Sequence, residues 1–154
     1  MAHALNLTFK IKQDAETLQK LQDVKKVFAS QIQPAIDSVL TSCKLVHFAR
    51  ILVIDDRYMM VLTEYDGDHL AYTEFFRVNL PDVFKMMFSL AEGAPPWDQI
   101  NNQNDFFNAS KVLQVRSLGE STTGEPDANG GVAGYLFSAY SQREVKDILA
   151  KLAD

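Results

Sequence analysis

The chain has 154 residues, of which 47% are apolar and 23% charged, so it has enough hydrophobic mass for one core and a length that favours a single domain. The net charge is −5 and no run of Lys and Arg lines up on one face, so the electrostatic signature of a nucleic-acid-binding protein is missing. The single cysteine, Cys43, excludes an internal disulfide and fits a reducing compartment.

The first predicted elements are a strand and a long helix. LNLTFKI, residues 5–11, alternates apolar and polar side chains, which is the period of a half-buried strand. Asp14 stands where a helix N-cap would. One apolar stripe then recurs at spacings of three and four residues: Leu18, Leu21, Val24, Phe28 and Ile32. Pro34 breaks or kinks this helix because proline has no backbone N–H, and PAIDSVL can restart it as a short helix.

The next segment predicts a β-hairpin. Residues 45–54, LVHFARILVI, are apolar at both parities apart from His47 and Arg50, the pattern of a strand that is covered on both faces. Residues 55–57 form a tight turn, and YMMVLTEY returns as the partner strand.

A second long helix follows the hairpin. Asp68 is placed to cap it, Pro81 marks a kink or a restart, and Gly93 ends it. Its apolar stripe contains Tyr72, Phe76, Leu80, Val83, Met87 and Leu90.

The pattern is weaker in the last third of the chain. FFNASKVLQVRSLG is either a short helix followed by a strand or one bent helix. Residues 119–131, GESTTGEPDANGG, have nothing to bury and predict a mobile loop. VAGYLFSAY, residues 132–140, predicts the last strand. Ser141 and Glu144 have the spacing of a capping box that starts a C-terminal helix.

Together these elements predict an α+β fold. The order β-α-β-β-α-β is that of a ferredoxin-like antiparallel sheet with both main helices on one face, here with an extra C-terminal helix. We expect one domain over residues 1–154, with an irregular insertion and mobile loop at about 94–131. Because one helical layer covers only one face of the strand at 45–54, we also expect a symmetric homodimer in which two sheets pack together.

Several segments resemble an uncharacterised bacterial group of the dimeric α/β-barrel superfamily. They are VHFARILVID…MVLTEYDGD, the APP after the second helix, and YLFSAYSQREVKDIL. The resemblance implies the fold and the sheet-to-sheet dimer, but that group has no activity to carry over. More distant members include antibiotic-biosynthesis-type monooxygenases and two haem-dependent classes, the chlorite dismutases and dye-decolourising peroxidases. Haem-binding relatives take an axial histidine from a late helix. Here the last histidine is His69, so haem is disfavoured and no cofactor is predicted.

His47 and Arg50 have opposite parity and face opposite sides of the sheet unless a bulge intervenes. If the hairpin turns at Asp56-Arg57, His47 shares a face with Glu64 and Asp66, whereas a one-residue slip moves Glu64 to the face of Arg50. In a functional interpretation His47 is an oriented general base and Arg50 an anion anchor. In a structural interpretation, neighbouring carboxylates or carbonyls satisfy both.

The candidate ligand-binding residues are Arg50, Thr8, Lys10 and Tyr65, and the candidate catalytic residues are His47 and Tyr65. The three histidines and the cysteine lack metal-ligand spacing, so no metal is predicted. We expect a protein that binds a small, partly apolar or anionic molecule, either between helices and sheet or inside the dimeric barrel. The alternatives are a monooxygenase- or peroxidase-type enzyme on the same fold and a structural interaction module.

The opening residues have no basic stretch followed by an apolar one, and no apolar run approaches the ~20 residues that span a bilayer. We therefore expect a cytoplasmic protein whose partners are a second copy of itself and a small molecule, not nucleic acid or a membrane.

Overall fold

In the computed structural model, which describes residues 1–153, three antiparallel strands form one sheet in the order β1-β3-β2. The strands are β1 (Ala2–Lys10), β2 (Val46–Ile54) and β3 (Tyr58–Asp66). The helices are α1 (Ala15–Val27), α2 (Gln33–Cys43), α3 (His69–Asn79), α4 (Pro81–Leu90), α5 (Gln103–Leu113) and α6 (Val145–Leu152). The mixed α+β class and the β2–β3 hairpin are confirmed.

The core lies between one face of the sheet, called here the inner face, and the helices. The buried apolar side chains of β1 and β3 are at odd positions, as the alternation in β1 predicted: Leu5, Leu7, Phe9, Met59, Val61 and Tyr65. The helices add a second set from α3, α4 and α5: Tyr72, Phe76, Val83, Phe84, Met87, Leu90 and Phe106. The opposite side of the sheet is called the outer face.

The first long helix is interrupted but not ended at Pro34. Asp14 caps α1, since its Oδ1 accepts a hydrogen bond from the Thr17 N–H at 2.8 Å. A π-helical segment, Phe28–Ile32, joins α1 to α2, and Pro34 lies in the first turn of α2, so the predicted restart is confirmed. None of the residues of α2 is fully buried, so this helix covers the sheet loosely.

The hairpin turns through three residues. Asp55 and Asp56 both have positive φ values, 53° and 52°, and the Arg57 N–H donates to the Ile54 carbonyl at 3.0 Å. Aspartate tolerates this left-handed conformation better than most residues. Ile54 therefore lies opposite Tyr58.

This turn fixes the register of the hairpin. Phe48 pairs with Glu64 and Arg50 with Leu62, so Glu64 shares the outer face with Arg50. The strand pairing predicted for a turn at Asp56-Arg57 is wrong, and the alternative with a one-residue slip is correct. The reason is the third turn residue, which shifts the pairing by one position.

The strand predicted at 132–140 is not formed; Val132 makes an isolated bridge with Pro126, and Ala133 and Tyr135 make backbone hydrogen bonds to residues 118–125. The free edge of β1 is instead occupied by the residues just after α5. Gln114 forms a single bridge with Leu7, and the Val115 N–H donates to the Asn6 carbonyl at 2.8 Å. FFNASKVLQVRSLG is thus a helix followed by a short extended stretch. This stretch, and not residues 132–140, lies at the edge of β1.

The cap of the second long helix is confirmed, and that of the C-terminal helix is not. The Asp68 carboxylate accepts the Leu70 N–H at 2.9 Å, and Pro81 starts α4. At α6, Ser141 has a positive φ of 58° and does not cap the helix. The Asp66 carboxylate accepts the Val145 N–H instead, at 2.7 Å, because β3 carries it to the start of α6.

Within residues 1–153 no helix is both long and apolar enough to cross a bilayer.

Candidate functional site

A cavity of about 250 Å³, called here the core cavity, lies between the inner face of the sheet and helices α2, α3 and α4. Most of its lining is apolar, including Leu7, Ile36, Leu40, Ile51, Val61, Phe76, Phe84 and Met87. An engineered apolar cavity of ~150 Å³ in another protein is large enough for benzene. The core cavity can therefore hold a small organic molecule.

The loose cover of α2 and a small side chain in β2 keep the core cavity open. Ala49 lies opposite Thr63 on the inner face, yet Ala49 is exposed while Thr63 is buried. The side chain at position 49 is only a methyl group, and α2, which lines the same cavity, has no fully buried residue of its own. The mouth of the core cavity is consequently the gap between α2 and β2.

The polar groups of the core cavity lie at two levels. Inside it, the Tyr72 hydroxyl donates to Thr63 Oγ1 at 2.8 Å, and burial raises the pKa of Tyr72, so this phenol stays protonated. At the mouth lie Gln33, Asp37 and Arg50, whose side chains make no hydrogen bond or ion pair to any residue in 1–153. The cavity thus combines an apolar interior with one cation, one anion and one amide at its entrance.

A second, polar cleft of about 530 Å³ lies between the start of β1, the start of α3 and residues 114–136. His3 Nδ1 lies 3.0 Å from Glu125 Oε2 at its rim, and the Tyr65 hydroxyl lies 2.7 Å from His69 Nδ1. Burial raises the pKa of Tyr65 and lowers that of His69. The phenol and the imidazole are therefore both neutral at pH 7, and Tyr65 donates to His69.

His47 is bonded at both ring nitrogens. A bulge between Val46 and Phe48 disturbs the pairing of β2 at this position. His47 Nε2 lies 2.9 Å from Asp66 Oδ1, and the Tyr140 hydroxyl lies 3.2 Å from Nδ1. With no ring nitrogen free and only 3% of the side chain exposed, His47 is held as a structural link, and its partner is Asp66.

The four candidate ligand-binding residues fall into three places. Arg50 lines the mouth of the core cavity and Tyr65 lines the polar cleft. Thr8 and Lys10 lie on the outer face of β1, and neither lines either cavity. Arg50 is also exposed, so its guanidinium is in contact with solvent, although the apolar run at 45–54 predicted a strand covered on both faces; β2 is the edge of the sheet.

Sequence reasoning missed Ala49, Gln33 and Asp37. Ala49 carries the only small side chain within the apolar run 45–54, and a single small residue facing a helix is the signal that could have drawn attention to it. Gln33 and Asp37 are four residues apart and therefore lie on one side of α2, but this spacing has meaning only once the helix is placed beside β2.

The outer face carries uncovered apolar side chains. Phe48 is 69% exposed, and Leu52, Ile54 and Tyr58 are also exposed. Arg50, Glu64 and Lys10 are the charged residues of the same face. Exposed apolar side chains gathered on one surface are typical of an interaction site.

Among residues 1–153, no three His, Cys, Asp or Glu side chains are grouped so as to hold a metal ion. No protein-family model, curated protein or solved structure matches the chain.

Proposed function

We propose that the protein binds a small, partly apolar molecule in the core cavity. The observation that carries this proposal is a cavity of about 250 Å³ with an apolar interior and an open mouth. Apolar surface that lines an open cavity is in contact with water, and a ligand that displaces this water gains both hydrophobic and dispersion energy. Concave, mostly apolar pockets with a few polar groups are the usual form of small-molecule sites.

The polar residues of the core cavity determine the orientation of the ligand. Arg50 has no carboxylate partner among residues 1–153, so its guanidinium is available to an anionic group at the mouth. Asp37 on the opposite wall repels an anion, which favours a position next to β2. The Thr63 hydroxyl accepts a hydrogen bond from Tyr72, and its own hydrogen is left for an acceptor atom of the ligand.

The binding hypothesis is favoured over the enzyme hypothesis because of the hydrogen bonds and the burial of His47. Its two ring nitrogens are bonded to Asp66 and Tyr140, and its side chain is only 3% exposed, so a substrate does not reach either nitrogen directly. Tyr65 is likewise bonded to His69 and opens to the polar cleft, not to the core cavity.

We also propose that two copies associate through the outer face, as in the dimeric α/β barrels that the sequence resembles. The exposed side chains of Phe48, Leu52 and Ile54 support this. In this arrangement each copy is a ferredoxin-like unit whose fourth strand is reduced to the bridge at Gln114.

The ligand proposal is tested with 3-phenylpropionate and its uncharged analogue 3-phenylpropanol. We expect both to bind the wild type and the carboxylate to bind more tightly. Ala49→Leu fills the mouth of the core cavity and should weaken the binding of both probes by at least about tenfold. Ala35→Leu, an equal increase in volume at an exposed position of α2 that does not line the cavity, is the matched control.

Arg50→Met should remove only the preference for the carboxylate, because the apolar interior is unchanged. Equal binding of both probes to wild type and Ala49→Leu would contradict the proposal, as would no binding of either probe to the wild type.

A further inference from the structure

We propose that the outward edge of β2, together with the core cavity beside it, is a docking groove for an extended polypeptide segment. The segment carries one large apolar side chain and an acidic residue next to it. This inference rests on the proposed function, because it requires that the core cavity take an apolar group. It adds that the group is carried on a polypeptide backbone that pairs with β2.

The outward edge of β2 lies next to no other strand of residues 1–153. β2 has nine residues, and its single neighbour in this sheet is β3. In the part of the chain that the structure describes, no hydrogen bond reaches the outward backbone N–H and C=O groups of Phe48 to Val53. β2 contains no proline, and its one bulge lies near its start, so the rest of the edge is regular. An edge of this kind is a template for an added strand.

The core cavity reaches this edge. Three consecutive residues of β2, Ala49, Arg50 and Ile51, line it, although their side chains alternate between the two faces. Because both parities contribute, the cavity borders the backbone of β2 itself. The opposite wall is α2, with Gln33 and Asp37. A strand laid along β2 therefore lies between a sheet edge and a helix, directly over an apolar pocket.

Strand geometry then sets the pattern of the bound segment. Side chains of an added strand alternate between the faces of the sheet. A residue that points to the inner face beside Ala49 and Ile51 enters the core cavity, so a large apolar side chain is expected there. Its sequence neighbours point to the outer face, beside Arg50.

The charge of Arg50 determines which residue is favoured next to the large apolar side chain of the bound segment. Arg50 is exposed and has no ion pair with any residue in 1–153. Opposite charges on neighbouring strands attract and like charges repel, so a glutamate or aspartate is favoured beside Arg50 and a lysine is disfavoured. The same repulsion disfavours a second copy of β2 paired about Arg50, since that register brings two guanidinium groups together.

The probes are four acetylated, amidated peptides: TTFETT, its charge-reversed counterpart TTFKTT, and two forms of TTFETT with backbone N-methylation. Of the two N-methylated forms, one is methylated at the odd positions and one at the even. We expect TTFETT to bind wild type at least about tenfold more tightly than TTFKTT. One N-methylated form should lose binding and the other should keep it, because only alternate N–H groups point toward the strand they pair with.

Two variants and a control locate the interaction. Ala49→Leu should weaken the binding of TTFETT by at least about tenfold, while Ala35→Leu should leave its affinity unchanged. Arg50→Glu should reverse the preference between TTFETT and TTFKTT. Amide hydrogen exchange should slow in β2 when TTFETT is added.

The outcomes separate this inference from the proposed function. If 3-phenylpropionate binds but TTFETT does not, or if both N-methylated forms bind as well as TTFETT, the docking groove is overturned and the small-molecule site stands. If neither kind of probe binds, both proposals fail. If the outward amides of β2 are protected without any peptide and the protection rises with protein concentration, a second copy occupies the edge and the inference is also overturned.

Discussion

His47 Nε2 lies 2.9 Å from Asp66 Oδ1, and the two side chains are only 3% and 4% exposed. The second oxygen of Asp66 accepts the Val145 N–H at 2.7 Å, so this pair connects the bulge of β2 to the first turn of α6. The two polar residues of the VHFAR segment therefore have different roles. His47 is buried and holds the C-terminal helix, whereas Arg50 is exposed at the mouth of the core cavity.

Replacing Asp66 with alanine should lower the free energy of unfolding by about 3 kcal/mol, because the change leaves the buried His47 side chain and the partly buried Val145 N–H without their partner. Urea denaturation measures the loss. Asp68→Ala, which removes the exposed cap of α3, is the control and should cost about 1 kcal/mol. If the two variants lost equal stability, the pair would not be the link between β2 and α6.

Stability should fall as the pH is lowered from about 7 to about 5, in part because of His69. Burial lowers the pKa of His69 in the folded protein below its usual value of 6.5. In this window the unfolded chain binds a proton that the folded protein does not, so acid favours unfolding. His69→Asn keeps an acceptor for the Tyr65 hydroxyl and removes the titration, and its curve of unfolding free energy against pH should be shallower. Parallel curves for variant and wild type would show that His69 is not the cause.

Phe48→Glu should weaken self-association, because it places a charge among the exposed apolar residues of the outer face. Sedimentation equilibrium at micromolar concentration should give twice the chain mass of 17.3 kDa for wild type and a mass near 17.3 kDa for the variant. Val112→Glu is the control, since Val112 is 81% exposed on α5 and is not a residue of the outer face. A wild-type protein that sediments at 17.3 kDa would refute the dimer.

Limited proteolysis with subtilisin should cut residues 119–131 first. This loop has no large apolar side chain to anchor it, so local opening should cost little there. Its contacts are mainly short-range, such as the hydrogen bond from the Asp127 N–H to the Gly131 carbonyl at 2.7 Å. First cleavage within residues 45–65 would contradict this expectation, because that segment forms the central hairpin.

The features predicted correctly from the sequence depend on neighbours in the chain. Asp14 and Asp68 cap helices through backbone groups two or three residues away, and the alternation in β1 identifies its buried face without reference to any other element. The hairpin register was not predictable, because it depends on the left-handed conformation of Asp55 and Asp56.

The errors have a different cause, which is competition between distant segments. VAGYLFSAY has a strand-like composition, but composition does not reveal that Gln114 and Val115 already occupy the edge of β1. The core cavity is also invisible in the sequence, since it results from how loosely α2 covers β2. Ala49 becomes informative only when that packing is known.

Methyl NMR spectra recorded during a titration with 3-phenylpropionate test most directly whether the core cavity is a ligand site. Ile36, Leu40 and Ile51 line the cavity, whereas Leu52 and Ile54 lie on the outer face. We expect saturable shifts of the methyl groups of these three cavity residues, with the two outer-face residues unchanged, and in Ala49→Leu the same shifts only at ligand concentrations at least about tenfold higher. Shifts confined to Leu52 and Ile54, or no shifts at all, would contradict the proposal that the cavity between α2 and the sheet binds a partly apolar molecule.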